Sequence, residues 1–197
     1  NVYYDLFNNM ANDRIRLFEL GLGTNNPNLI SNMGVDGTPG ASLYAWRDFF
    51  TNGEIFGADI DKDILFTENR IKTFYCDQTS KESIDDLWKE KDLQENFDII
   101  IEDGLHTFEA QYNFLIHSLH KLKPGGYYIT EDIYYNKKYR EKSDFDKFVK
   151  IIPKLNNMFP NCEFNLHRLP KGTINKKKDY KYNKENDNNL LIVQKKS

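Results

Sequence analysis

Short apolar runs alternate with longer amphipathic stretches along the chain, and this alternation constrains the fold more than any other feature of the sequence. A strand needs only about five or six residues, whereas apolar side chains that recur every three or four residues indicate a helix. A chain that alternates the two typically forms a parallel sheet with helices on both faces, because parallel neighbours need a crossover connection. The first five runs are predicted as strands at residues 15–20, 54–58, 71–75, 97–102 and 127–130.

Amphipathic stretches fill the gaps between these runs and predict the helices. Their apolar residues recur at three-to-four spacing, so each stretch can bury one face against the sheet. The Lys-Pro-Gly-Gly segment at residues 123–126 has the chemistry that ends a helix. Helices are predicted at residues 41–50, 81–89 and 107–122 and after Arg140.

The two ends of the sequence complete a single predicted domain of residues 1–197. Residues 1–13 are predicted as an N-terminal helix, and the start of the sequence at Asn1 leaves a truncation upstream open. Two more β-like runs, 163–169 and 190–194, predict a closing hairpin. Residues 171–189, between these runs, are rich in Lys and Asn and are predicted as a solvated loop.

The composition excludes several classes of protein. With 39% hydrophobic and 29% charged residues, the chain has enough apolar material for a core, which argues against disorder. No apolar run approaches the roughly 18 residues of a membrane helix, and no secretory signal is recognisable. The net charge of −3 argues against a dedicated nucleic-acid binder, which normally has a basic surplus. Cys76 and Cys162 stand apart from each other and from histidine, so we expect no zinc site or disulfide and a cytoplasmic location.

A glycine turn follows the first predicted strand, at Glu19-Leu20-Gly21-Leu22-Gly23-Thr24. Ligands of open parallel sheets bind beyond the carboxyl ends of the strands, where glycine lets the backbone approach a ligand closely. A glycine pair is also common in ordinary turns, so this pair alone does not decide between the two interpretations. Asn26 occupies the third glycine position of the dinucleotide fingerprint, which disfavours a nicotinamide cofactor.

Polar side chains also follow the second and third predicted strands. Asp59 follows the second strand, and its carboxylate could accept hydrogen bonds from both hydroxyls of a ribose. Asp77 and Gln78 follow the third strand, where an acid could accept from the amino group of adenine. Asp77 could instead be an ordinary N-cap of the helix that starts near Lys81. The succession of acids after consecutive strands nevertheless favours a nucleoside-binding cleft.

A second group of acids follows the fourth and fifth predicted strands. Asp103, Glu131 and Asp132 would meet at one edge of the sheet, where crowded carboxylates repel unless a cation or protons intervene. Mg²⁺ prefers such oxygen ligands. His106 lies three residues beyond Asp103, and an ordinary pKa near 6.5 suits it to accept a proton. The alternative is that Asp103 caps the following helix and His106 is a polar residue in its first turn.

These motifs resemble those of the class I S-adenosylmethionine-dependent methyltransferases over most of the chain. Residues 19–23 match the first motif of that family, Asp59 its ribose-binding acid and Asp77 its adenine-contacting acid. The resemblance implies a Rossmann-like α/β fold, with a seven-stranded sheet whose last strand is antiparallel and helices on both faces. The cofactor-binding residues that it implies are Glu19, Gly21, Gly23, Thr24, Ser42, Asp59, Asp77 and Gln78.

The Asp-Gly-Leu-His motif at 103–106 and the Glu-Asp pair at 131–132 resemble a narrower group. They are similar to motifs of the metal-dependent sugar O-methyltransferases of macrolide and aminocoumarin biosynthesis. The resemblance implies that acids from both motifs bind Mg²⁺ and that the histidine is the general base. The implied metal ligands are Asp103, Glu131 and Asp132, and the implied catalytic residues are His106 and Asp103.

The sequence departs from these families at two places. Residues 25–39 look like an insertion, which leaves Thr24 and Ser42 as alternative contacts for the carboxylate of the cofactor. Leu105 stands where the sugar O-methyltransferases commonly have serine. The methyl acceptor of those enzymes is therefore not transferred to this chain.

The expected function is methyl transfer from S-adenosylmethionine to a hydroxyl of a sugar or sugar-derived small molecule, assisted by Mg²⁺. One alternative is a metal-independent methyltransferase for a phosphate-bearing or nucleotide-linked acceptor, such as a surface-polysaccharide precursor, held by Lys137, Lys138 and Arg140. Another is an adenosyl-binding module without catalysis. The sequence does not determine the oligomeric state, and a homo-oligomer is one of the alternatives that it leaves open.

Overall fold

The computed structural model of the protein describes residues 2–136, 138–168 and 189–197, and a mixed β-sheet forms its centre. Most strands are short runs of largely buried residues, as the alternation in the sequence predicts. The strands are β1 (Arg16–Leu20), β2 (Glu54–Asp59), β3 (Thr67–Glu68), β4 (Ile71–Tyr75), β5 (Phe97–Glu102), β6 (Leu122–Ile133), β7 (Cys162–His167) and β8 (Asn189–Lys195).

The strand order of the sheet is β3-β4-β2-β1-β5-β6-β8-β7. Strands β4, β2, β1, β5 and β6 are parallel, whereas β8 is antiparallel to both of its neighbours, β6 and β7. The Rossmann-like fold with an antiparallel last strand is therefore confirmed. The chain proceeds from β1 to β4 on one side and then crosses to β5 on the other, so the order reverses beside β1. Ligands of open α/β sheets bind at such a reversal.

The number of strands differs from the seven that were predicted. The eighth strand, β3, has two exposed residues and pairs antiparallel with β4 at the edge of the sheet. A strand this short contains no apolar run, so the sequence gives no signal for it. Strand β6 is also longer than the predicted 127–130, because pairing with β5 extends back to Leu122 and pairing with β8 extends forward to Ile133.

The predicted closing hairpin is only partly covered by the described residues. Strand β7 ends at His167, one residue before the end of the described segment, and Leu169 lies outside it. Residues 171–188 of the predicted loop also lie outside the described residues. Asn189, predicted as the last residue of that loop, is instead the first residue of β8.

Helices cover both faces of the sheet, as predicted. On one face, α3, α4 and α5 contribute Leu87, Phe114 and Phe148 to a buried apolar cluster, and on the other face α1 and α2 contribute Phe7 and Leu43 to a second cluster. None of the described helices is both long and apolar enough to cross a bilayer. The helices are α1 (Val2–Phe7), α2 (Ala41–Phe49), α3 (Lys81–Leu87), α4 (Phe108–Ser118) and α5 (Asp144–Met158).

The N-terminal helix is shorter than the predicted 1–13. Helix α1 ends at Phe7, and a single 3₁₀ turn, Asn8–Met10, continues it. Thr51 donates its backbone N–H to the carbonyl of Ala11, which ties the segment after this turn to the end of α2. Helix α1 is thereby held against the same sheet face as α2.

The register of the sheet brings the carboxyl ends of the central strands together. Leu20 at the end of β1 pairs with Ala58 on one side and with Glu102 on the other, and Glu102 pairs with Thr130. The residues that follow these positions therefore emerge at one edge of the sheet. These are the residues that the sequence analysis selected for the cofactor and the metal.

Candidate functional site

A cavity of about 730 Å³ opens at this edge of the sheet. Its volume lies within the range of sites for small molecules and cofactors. The walls come from the turn after β1, the insertion, the start of α2 and the ends of β2, β4 and β5. The predicted site residues in the walls are Gly21, Gly23, Ser42, Asp59, Asp77, Gln78, Asp103 and His106.

The glycine turn forms the floor of the cavity and needs glycine for a steric reason. Gly21 has a φ of +93°, and a Cβ atom there would lie 2.1 Å from the carbonyl oxygen of Asp103. The backbone N–H of Gly21 donates to Ala58, and the N–H of Asp103 donates to Leu20, both at 2.8 Å. The turn after β1 and the loop after β5 are therefore packed backbone against backbone.

Asp59 presents a buried carboxylate to the cavity. Its side chain is 7% exposed, and it accepts hydrogen bonds from the backbone N–H groups of Leu22 at 2.7 Å and Asp61 at 2.8 Å. Burial raises its pKa, and these backbone hydrogen bonds oppose the rise. Each carboxylate oxygen keeps a second lone pair, so the carboxylate can still accept from a diol.

Asp77 and Gln78 lie side by side in the cavity wall but have different partners. Asp77 accepts from the backbone N–H of Thr79 at 2.9 Å and from its hydroxyl at 2.6 Å. Ser80, not Asp77, is the N-cap of α3, so the capping interpretation of Asp77 is wrong. The amide of Gln78 bridges two groups: it donates to Glu102 at 2.9 Å and accepts from the N–H of Leu105 at 2.8 Å.

Two residues predicted to bind the cofactor are engaged behind the cavity wall. Glu19 is 3% exposed and accepts from the hydroxyl of Ser42 and from the indole N–H of Trp46, the latter at 2.6 Å. Burial raises the pKa of Glu19 to about 7. The hydroxyl of Thr24 donates to Asp61, and Thr24 does not line the cavity. Ser42 does line the cavity and is the better placed of the two alternatives.

Asp103, His106 and Asp132 form the group that could hold a metal ion. One potential ligand atom from each lies within 4.8 Å of the others, and His106 Nε2 lies 2.9 Å from Asp103 Oδ1. His106 and Asp132 have φ values of 57° and 49°, in the left-handed region that non-glycine residues rarely adopt. Such strain, about 1–3 kcal/mol per residue, is concentrated at functional sites. Two carboxylates and an imidazole fit a divalent cation of the Mg²⁺ or Mn²⁺ type.

Glu131, the third predicted metal ligand, lies beside this group but has a different partner. Its carboxylate accepts a hydrogen bond from the hydroxyl of Tyr3 in α1. Burial and the nearby charge of Asp103 raise the pKa of Glu131 to about 8. A cation that compensates its charge would therefore favour loss of the proton from this carboxyl group.

His106 is positively charged at neutral pH in the ion-free protein. Burial lowers its pKa, but the hydrogen bond to Asp103 and the charges of Asp103, Asp132 and Glu102 together raise it to about 9. A divalent cation between the carboxylates would offset their negative charge and lower the pKa of the imidazole. A neutral imidazole, which a general base requires, thus depends on the charge balance of its neighbours.

Sequence reasoning missed Glu102, which supports the whole loop after β5. Glu102 is 0% exposed and accepts from Gln78 and, at 3.2 Å, from the backbone N–H of Gly104, and burial raises its pKa to about 7. A Cβ at Gly104 would lie 1.9 Å from the Gln78 amide oxygen, so glycine permits this close approach. Glu102 is the last residue of the predicted strand 97–102, but a functional role was assigned only to its neighbour Asp103.

The basic residues predicted to hold a phosphate have other partners where they are described. Arg140 pairs with Asp146, and Lys138 lies over the ring of Tyr139 at 4.9 Å. Lys137 lies outside the described residues. Nothing in this arrangement favours a phosphate-bearing acceptor over an uncharged one.

The unfolding temperature of the ion-free protein is expected to fall by several degrees as the pH rises from about 5 to about 9. Glu102 and Glu131 have folded-state pKa values of about 7 and 8 against an ordinary 4.5, and His106 about 9 against 6.5. A group whose pKa is higher in the folded than in the unfolded protein stabilises the fold fully at a pH below its unfolded-state pKa. This stabilisation is lost as the pH rises through the folded-state pKa. Calorimetric unfolding in EDTA over this pH range measures the fall, and Glu102→Gln should flatten its lower part. A melting temperature that rises with pH would contradict the expectation.

Curated relatives share this sequence over two thirds of its length. The mycinamicin VI 2''-O-methyltransferase of Micromonospora griseorubida is 31% identical over 134 residues, which are 67% of this chain and 31% of that protein. The demethylmacrocin O-methyltransferase of Streptomyces fradiae is 32% identical over 134 residues, with the same two coverages. The chain is a homologue of sugar O-methyltransferases. No protein-family model matches the sequence.

A solved structure shares the fold of this chain. The MycE methyltransferase of the mycinamycin biosynthetic pathway, in complex with Mg and SAH, superposes with a TM-score of 0.70 at 24% identity. The match covers 99% of this chain and 48% of that one, so the class I methyltransferase fold is confirmed. The chain spans about a third of the length of these curated relatives and about half of the length of the solved MycE chain.

Proposed function

We propose that the protein transfers the methyl group of S-adenosylmethionine to a hydroxyl of a sugar or sugar-derived small molecule in the cytoplasm, with Mg²⁺ bound. The observation that supports this most is the continuity of the cavity with the group of Asp103, His106 and Asp132. A cavity for a nucleoside-like cofactor thus ends at two carboxylates and an imidazole. A donor and an acceptor can meet there, and residues 1–197 would act as one methyltransferase domain.

The cofactor would lie along the carboxyl edge of the sheet. Asp59 would accept from the ribose hydroxyls, while Asp77 and Gln78 would border the adenine. Gly21 and Gly23 would let the methionine part lie against the turn, and Ser42 at the start of α2 would meet its carboxylate. Asp103 and His106, which line the same cavity, would then lie within reach of the methyl donor.

The chemistry at the far end of the cavity is a proton removal coupled to methyl transfer. Asp103, Glu131 and Asp132 would hold Mg²⁺, which supplies a positive charge that lowers the pKa of the acceptor hydroxyl. Asp103 orients His106 through Nε2, which leaves Nδ1 to accept the hydroxyl proton. The acceptor oxygen would bond to the methyl carbon as the carbon–sulfur bond breaks, and the electron pair of the broken bond would stay on sulfur. The rest of catalysis is alignment of the two substrates.

Removal of the divalent cation is expected to abolish methyl transfer and to leave cofactor binding in place. The test measures formation of S-adenosylhomocysteine with a panel of glycosides, in EDTA and after readdition of Mg²⁺. A calorimetric titration of S-adenosylmethionine under both conditions is the control, because Asp59 and the glycine turn make no use of the metal. Transfer that persists in EDTA would favour the metal-independent alternative, and a failure to bind S-adenosylmethionine would contradict the proposal as a whole.

A further inference from the structure

Helix α1 brings a side chain from the beginning of the described chain to the carboxyl edge of the sheet. The hydroxyl of Tyr3 donates a hydrogen bond to Oε1 of Glu131, which is 128 positions away in sequence. The ring of Tyr3 stacks on the fully buried Phe7 at 5.9 Å and meets the ring of Trp46 edge-on at 5.3 Å. Aromatic contacts on two sides therefore fix where the hydroxyl points.

We propose that Tyr3 is a positioning residue of the metal site, which holds the carboxylate of Glu131 beside Asp103 and Asp132. The inference rests on the proposed function, because it assumes that Glu131 contributes to binding of Mg²⁺. The inference adds that helix α1 contributes a side chain to the metal site. Neither the glycine turn nor the acidic motifs of the sequence pointed to α1.

The need for such a residue follows from the charges around Glu131. A glutamate side chain has three rotatable bonds, and the charges of Asp103, Asp132 and Glu19 all act on this carboxyl group. Once Glu131 is deprotonated, these like charges would drive an unrestrained carboxylate away from the position where the cation must bind. A hydroxyl donor at one oxygen fixes the group and leaves the second oxygen for another partner.

Glu19, the neighbouring acid, shows the same arrangement on the same face of the sheet. One carboxyl oxygen of Glu19 accepts from Ser42 and the other from Trp46, so each oxygen has a hydrogen-bond donor in α2. Trp46 thus contacts both systems, through its indole N–H to Glu19 and through its ring to Tyr3. Helices α1 and α2 together restrain the carboxyl groups of Glu131 and Glu19 through these hydrogen bonds.

The test is the binding of Mn²⁺, an oxygen-seeking substitute for Mg²⁺ that can be followed by the electron paramagnetic resonance of the free ion. Tyr3→Phe keeps the aromatic contacts and removes only the hydroxyl, and we expect it to weaken Mn²⁺ binding by about 10-fold to 100-fold. Saturating Mn²⁺ should restore most of kcat, while the Kd for S-adenosylmethionine stays at the wild-type value. Tyr4→Phe is the matched control, because Tyr4 is in the same helix and 59% exposed.

A double-mutant cycle separates positioning from general stability. If Tyr3 acts through Glu131, then Tyr3→Phe should cost nothing further in Mn²⁺ affinity when Glu131→Gln is already present. Wild-type Mn²⁺ affinity in Tyr3→Phe, or equal losses in both backgrounds, would overturn the inference. If the wild-type protein binds no Mn²⁺ but still binds S-adenosylmethionine and methylates an acceptor, the inference fails while the proposed transfer stands.

Discussion

Replacing His106 with alanine is expected to lower kcat by about 10²-fold to 10⁴-fold, the usual contribution of a general base. The imidazole lies 2.9 Å from Asp103, borders the cavity and adopts a strained backbone conformation, which together favour a role in the reaction. The measurement is the single-turnover rate of methyl transfer at saturating S-adenosylmethionine and Mg²⁺. Affinity for the cofactor should stay near the wild-type value, because the loss concerns the proton and not the donor.

The control for this substitution is His120→Ala. His120 is exposed and follows α4, close to the start of β6 and therefore at the opposite end of the sheet. Its replacement should leave kcat unchanged. Mn²⁺ binding by His106→Ala then separates two roles, because a base can be removed without loss of the ion whereas a ligand cannot. Full activity in His106→Ala would contradict the assignment of the base.

Replacing Asp59 with alanine is expected to weaken S-adenosylmethionine binding by at least about 100-fold. A hydrogen bond to a charged group contributes about 1.5–3 kcal/mol, and the carboxylate would accept two from the ribose. The residue is buried in the cavity wall, so water compensates little for its loss. Calorimetric titration of the cofactor into the variant and the wild-type protein gives the two Kd values.

Two further variants make this result specific. Asp63→Ala removes an exposed carboxylate four positions away and should bind the cofactor as the wild type does. Asp59→Asn keeps the shape of the side chain and replaces one acceptor oxygen with a donor, so an intermediate loss is expected. Because Asp59 also accepts from Leu22, unfolding temperatures must accompany both titrations. Wild-type affinity in a folded Asp59→Ala would contradict the location of the ribose.

The sequence was sufficient to predict the parallel strands and the edge of the sheet at which the cavity lies. Apolar runs such as 97–102 have a single stable placement in the middle of a parallel sheet, so the acid that follows each run must emerge at its carboxyl edge. Asp59, Asp77 and Asp103 were found for this reason, and all three lie in the cavity wall. The two-residue strand β3 was missed because pairing with β4, not side-chain pattern, creates it.

The finer geometry of the site could not be predicted, because it depends on contacts between distant parts of the chain. The partner of Glu131 is Tyr3, and only the packing of α1 against α2 reveals that pair. Thr24 follows the glycine turn directly, but its hydroxyl is directed to Asp61 and away from the cavity. The left-handed backbone at His106 could not be predicted from the residue pattern either, because only a few per cent of non-glycine residues adopt a positive φ.

The position of β8 in the sheet has a consequence for how the chain folds during its synthesis on the ribosome. Strand β6, which contains Glu131 and Asp132, pairs on one side with β5 and on the other with β8, and Asn189 donates to the carbonyl of Ile133 at 2.8 Å. The acidic pair therefore reaches its final setting only after β8 has been synthesised, and Tyr3 is synthesised long before its partner Glu131. Contacts of such long sequence separation form late and slowly. In a nascent chain, Glu131 and Asp132 would accordingly lack their final β-sheet setting until translation has passed residue 195.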